Sequence, residues 1–206
     1  AASLAPQGLA RFDSPWSKIG KRFVRLVVPY AVALVVTIVV SGAIRPWFDH
    51  ESVSADPGLW QLMAHALLLQ GIVGEESLSA GVWYVSIDFQ LFAGTVLLLG
   101  AVRWLKQVVA GRWGVQAVQR WWPWAVTGMQ MLVVLGTAAS LFSFNLDSDL
   151  DIWAIYFMGA YGLGMMAYWA VAAEKRSTAW SWAMLIAALV IGALVFERSE
   201  ERRVGK

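Results

Sequence analysis

The sequence predicts an all-α integral membrane protein, a helical bundle of five full transmembrane helices plus one short or re-entrant helix. Three observations carry that expectation. Of the 206 residues, 59% are hydrophobic and 15% charged, with a mean hydropathy of +0.59; a soluble domain holds about 45–50% apolar and about 25% charged residues. The chain has 13 tryptophans, a surplus over one soluble core that fits aromatic belts at two membrane interfaces. Finally, five apolar runs reach the ~20 residues that a spanning helix needs.

The runs fall at 24–44, 82–102, 122–144, 152–173 and 178–196, in a single transmembrane domain over 1–196. The first follows a cationic entry, "KRFVRLVVPY", and contains Pro29. A sixth run at 59–73, "LWQLMAHALLLQGIV", is short and holds Gln61, His65 and Gln70, so it reads as a short or re-entrant helix. Lysine and arginine placement favours that reading. If 59–73 does not cross, eleven basic residues lie on one side and five on the other; if it crosses, the split is nine against seven. The non-crossing topology puts the 45–81 connection outside, together with "DSDLD" and its Asp147, Asp149 and Asp151. It lays the basic, aromatic loop "RWLKQVVAGRWGVQAVQRWW" along the inner headgroups. "FMGAYGLGMMA" offers Gly159, Gly162 and Gly164 for close helix packing, with Ala160 and Gly164 four apart on one face. The chain begins without Met or a signal-peptide apolar region, so a piece of a longer protein is expected; separately, the tail 197–206 turns abruptly charged. Adaptor-derived translation and an ordinary basic tail are equal readings of that tail, and it is assigned no function.

Several function classes drop out. Without cysteine there is no thiol nucleophile, disulfide or Cys metal site. A net charge of +2 offers no polybasic surface for nucleic acid; the bilayer itself is the expected partner. No Gly-rich phosphate loop, GxSxG elbow or HExxH occurs, and no metal or resident cofactor is expected.

Polar residues inside the apolar runs carry the chemistry. Arg22 and Arg25, three apart, share a helix face where the chain enters the membrane. They read either as a positive-inside anchor with snorkelling side chains or as a phosphate site, since the guanidinium fork binds phosphate oxygens in pairs. In "WYVSIDFQLF", Asp88 lies about 7–8 Å deeper than Trp83. A carboxylate there is costly against lipid and should face protein or a wet cavity. Ser86 and Gln90 form an i, i+4 pair on a neighbouring face of the same helix. An interhelical polar lock and a functional site are both open readings of this box. His65 reads as a hydrogen-bonded core residue, His50 as a solvated loop residue, and "DSDLD" as a solvated loop without cation-binding spacing.

The order of these pieces resembles the membrane acyltransferase 3 family, which includes O-antigen and other polysaccharide O-acetylases. "KRFVRLVVPY" looks like the family's R-x-x-R followed by Pro at the start of a span. "GVWYVSIDFQLF" is similar to its W-S-L-S-x-E-x-Q-F-Y box: Trp83, Ser86, Asp88 and Gln90 match, with Asp for Glu and Phe92 for Tyr. "IYFMGAYGLGMM" resembles its F-x-x-G-x-x-x-G span. The resemblance covers roughly 18–173. It implies a multi-span bacterial inner-membrane enzyme that moves an acyl group from cytoplasmic acyl-CoA, as co-substrate, to a hydroxyl of a sugar or envelope glycan. Arg22 and Arg25 then handle the CoA end on the cytoplasmic side, and Trp83, Ser86, Asp88 and Gln90 line a polar cavity on the acceptor path. The family's catalytic histidine lies upstream of the R-x-x-R and has no match here, so the resemblance implies an internal fragment that is inactive by itself. The competing expectation is a transporter or flippase-like carrier that uses Asp88 as a polar site; paired broken helices in duplicated halves would mark it, and none is visible in the sequence.

Overall fold

The computed structural model describes residues 14–47, 56–79, 81–171 and 178–204. The first thirteen residues, His50 with its acidic neighbours, and the basic pair Lys175 and Arg176 lie outside the described residues. Among the described residues five α-helices follow one another: α1 (Pro15–Ile44), α2 (Leu59–Ala66), α3 (Trp83–Phe142), α4 (Ala154–Val171) and α5 (Thr178–Val204). Two single 3-10 turns, Phe144–Leu146 and Ser148–Leu150, link α3 to α4. Among the described residues there is no strand.

Among the described residues three helices are long and apolar enough to cross a membrane: α1, α3 extended through Leu146, and α4. Helix α1 starts earlier than the predicted run because Pro15 occupies the first helical turn, where its missing N–H is no loss. Its 30 residues make it about 45 Å long, the thickness of a bilayer with its headgroups. Trp16 and Trp47 stand exposed at its two ends, and Val24, Val28, Val32 and Val36 are exposed along it. An apolar face of that kind fits lipid rather than water. Pro29 does not interrupt α1. Its missing N–H leaves the carbonyl of Arg25 without the usual intrahelical donor.

The two predicted runs 82–102 and 122–144 lie in one continuous assignment, α3, with a break at Gly114. Gly114 has φ 80° and ψ 171°, a backbone region that only glycine enters readily. Lys106 and Trp122 are equally spaced about it, and the Lys106 ammonium sits 4.2 Å from the Trp122 ring centroid. In one straight helix those residues would be about 24 Å apart. The chain therefore doubles back at Gly114. The predicted run 178–196 is contained in α5, whose described residues include the apolar stretch Leu185–Phe196.

Two compact units make up the chain. One holds the rest of α3 from Thr95 onward, with α4 and α5. Here Val133, Met165 and Trp169 form a core cluster. The helices approach at Gly159 and Gly162, two of the three glycines expected at a contact, and not at Gly164. A side chain at Gly159 would come within 2.5 Å of Leu141, one at Gly162 would overlap the Thr137 hydroxyl, and one at Gly164 would meet nothing within 4 Å. Ser140 closes the approach: its hydroxyl donates to the Tyr156 carbonyl at 2.9 Å and accepts from the Gly159 N–H at 2.8 Å.

The other unit is Ser14–Gly94 with Ile152–Ala154. Within it α1 and the start of α3 run antiparallel. Phe23 meets Phe89 at 5.5 Å between ring centroids, while Tyr30 and Leu34 share one core cluster with Leu68, Leu78 and Val82. Helix α3 thus begins part-way along α1, and α2 with the following turns packs beside the C-terminal half of α1, where Ile38 and Leu62 join the same cluster.

Helix α2 ends at Ala66, short of the predicted 59–73. The cause is Leu68, in the left-handed region at φ 58°. The Leu68 N–H donates to the His65 carbonyl at 3.0 Å and the Leu69 N–H to the Ala64 carbonyl at 2.9 Å. That is the Schellman closure, usually made by glycine. Leucine pays a penalty of about 1–2 kcal/mol for this conformation, which burial of its whole side chain offsets by about 1.5–3 kcal/mol.

Candidate functional site

The segment 67–79 is irregular backbone set among apolar helices, so its N–H and C=O groups need protein partners. Polar side chains supply them. Gln90 donates to the Leu68 carbonyl at 3.3 Å, and Gln61 donates to the Glu76 carbonyl at 2.9 Å. Tyr30 takes a 3.3 Å hydrogen bond from the Gln70 amide nitrogen. His65 uses both ring nitrogens. Nε2 lies 3.2 Å from the Leu78 N–H, which can only donate. Nε2 is therefore the acceptor, and Nδ1 carries the proton toward the Gln61 carbonyl at 2.8 Å. Burial pushes the His65 pKa down, against weaker upward pulls from the Gln61 carbonyl and Glu75. His65 is a neutral structural clamp, as the sequence suggested.

Arg22 of α1 and Asp88 of α3 form an ion pair at 2.6 Å. The same guanidinium lies 4.5 Å from the Phe92 ring centroid. Phe92, where the resembled box has tyrosine, thus supplies a ring face for the cation. The Arg22 Nε is buried and has no acceptor among the described residues. Arg25 is exposed. The two arginines share a helix but not an environment: one is held against α3, the other is open.

A cavity of about 310 Å³ lies between the 70–77 segment and the first turn of α3. Trp83 and Ser86 line it; Asp88 and Gln90 do not. The cavity expectation therefore divides. Asp88 is turned to Arg22 and Gln90 to the Leu68 carbonyl, because both groups have stronger partners in the protein than open space provides. The lining also includes Gln70, Glu75, Glu76 and Ser77, which sequence reasoning had not joined to the box. Gln70 was visible as a polar residue in an apolar run, but nothing in the sequence brings it to Ser86. Gly71 lets the wall close, since a side chain there would press within 3.0 Å of the Ile152 carbonyl oxygen.

No family model, curated protein or solved structure matches this chain. The fold places it in a broad class: an all-helical protein with helices suited to contact with a lipid bilayer.

Proposed function

We propose that the chain forms part of a membrane O-acyltransferase of the bacterial inner membrane. It takes an acyl group, acetyl in the simplest case, from cytoplasmic acyl-CoA and delivers it to a hydroxyl of a sugar or envelope glycan. The observation that carries the reading is the Arg22–Asp88 pair. It joins the R-x-x-R segment to the W-x-x-S-x-D-x-Q box, two pieces 66 residues apart that the resemblance assigns to the two ends of one reaction. Support also comes from the cations. Arg25 is exposed, so anionic phosphate oxygens have a charged donor to meet. In this reading the five apolar runs cross the membrane with the Arg22/Arg25 side cytoplasmic. Helix α2 is re-entrant, packing beside α1 and returning the chain to the side it came from. Transfer belongs to the full-length protein that carries the family's histidine.

A carrier working through Asp88 finds less support, because the Asp88 carboxylate is already engaged by Arg22. The test is acyl-CoA binding to the detergent-solubilised chain. Arg25→Ala is expected to weaken binding about tenfold or more, the scale of one charged hydrogen bond. Unchanged affinity in Arg25→Ala would return the pair to a topology anchor.

A further inference from the structure

We infer that the hairpin at the Gly114 end of α3 is a docking surface for acidic phospholipid headgroups, which it holds in preference to zwitterionic ones. The hairpin is the stretch 103–124, where the chain doubles back and Lys106 lies 4.2 Å from the Trp122 ring centroid. Four cations lie on it, Arg103, Lys106, Arg112 and Arg120, and no aspartate or glutamate occurs between Asp88 and Asp147. The hairpin therefore has no carboxylate of its own to neutralise them. Arg112 and Arg120 are exposed, and among the described residues neither makes an ion pair. Arginine's planar fork takes phosphate oxygens in pairs, and four or more basic residues beside a span attract acidic lipids.

The apolar side chains of the same hairpin favour a lipid over a soluble anion. Trp104 and Trp124 are exposed, and at the turn itself Trp113 and Val115 are 67% and 68% exposed. Indole rings of this kind settle at headgroup level, where one part of the ring is apolar and another wet. Helix length agrees. From Phe142 back to the turn, α3 is about 42 Å long, against about 40–45 Å for a bilayer with its headgroups. A helix of that length brings the turn to a headgroup layer and stands in it, instead of lying along it as the sequence suggested. A soluble acidic partner would use the arginines and leave the tryptophans in water. The inference rests on the hairpin and is independent of the acyltransferase reading.

Two measurements on the full chain test it. The first is hydrogen–deuterium exchange in nanodiscs of phosphatidylcholine, with and without phosphatidylglycerol. Amides at 111–117 are expected to exchange about tenfold more slowly with the acidic lipid present, and those of α4 to be unchanged. The second is native mass spectrometry of the detergent-solubilised chain with the two lipids in equal amounts. Phosphatidylglycerol should be retained about tenfold over phosphatidylcholine, and R112Q/R120Q should lose that preference by about fivefold for each cation removed. R202Q/R203Q takes the same charge from the tail and should keep it, as should R112K/R120K. Equal retention of the two lipids by the unaltered protein overturns the inference, as does an equal loss in the hairpin and tail variants. Protection of 111–117 by polyglutamate in phosphatidylcholine discs, with none from phosphatidylglycerol, would assign the turn to an acidic protein and overturn it too. The exchange comparison uses the unaltered protein, so it decides even where a hairpin variant does not fold.

Discussion

Arg22 and Asp88, 66 residues apart in sequence, meet at 2.6 Å and tie α1 to the first turns of α3. Both side chains are partly exposed, 38% and 30%, so the pair is neither a solvated surface bridge nor a dry one. Coupling is expected to fall at about 1–3 kcal/mol. A double-mutant cycle with Arg22→Ala, Asp88→Ala and the combination, read by thermal unfolding in detergent, measures it. Each single change should destabilise more than half as much as the pair of changes, because each leaves a lone charge. Strict additivity of the two would show that the contact contributes nothing.

Leu68 is a second test of local physics. Leu68→Gly removes the left-handed penalty but also empties a fully buried position. Loss of a large core side chain costs about 2–5 kcal/mol against relief of about 1–2. Net destabilisation of about 1–3 kcal/mol is expected, measured by denaturant or thermal unfolding. A more stable Leu68→Gly protein would mean that strain, not packing, dominates this turn.

His65 gives a pH dependence with a definite sign. Its folded pKa lies below the ordinary 6.5, so the unfolded chain binds the proton more readily. Stability is then full above about pH 6.5 and declines as pH falls toward the lowered folded value, by at most about 1.4 kcal/mol per pH unit. Protonation also sets an Nε2–H against the Leu78 N–H. Melting temperatures from pH 7.5 to 5 should fall for the wild type. His65→Gln should start lower and vary less across that range. Parallel curves for the two proteins would remove His65 as the cause.

The glycines of α4 separate contact from freedom. Gly162→Ala places a methyl on the Thr137 hydroxyl, which is itself held by the Val133 carbonyl at 2.7 Å. Overpacking of this kind costs about 1–3 kcal/mol. Gly164→Ala meets open space and gains helix propensity of up to about 1 kcal/mol. The two variants should move the melting temperature in opposite directions; a shift of the same sign in both would contradict the packing described.

How much was legible in the sequence depends on the range of the interaction involved. His65 was readable as a core residue because one histidine in an apolar helix has few other fates. Of the three glycines expected at a helix contact, Gly159 and Gly162 are used and Gly164 is not, because α4 is apolar on every side and spacing alone does not say which face meets a neighbour. The end of α2 was missed for a related reason. No glycine or proline stands at Leu68, and the turn exists only because a buried pocket rewards that side chain. At the candidate site, Asp88 was rightly seen as needing a protein environment. Its partner was already in view as Arg22, yet the two had been given to opposite ends of the proposed reaction.

By itself the sequence determined that this chain is helical and suited to lipid, since hydropathy and helix propensity are properties of neighbouring residues and sum along a segment. Only the tertiary structure decided that Asp88 answers Arg22, that Gln90 serves the Leu68 carbonyl, and that Gln70, Glu75, Trp83 and Ser86 share a cavity. Those outcomes depend on which polar group reaches which unsatisfied partner across tens of residues, and in an apolar surround each such group must find one.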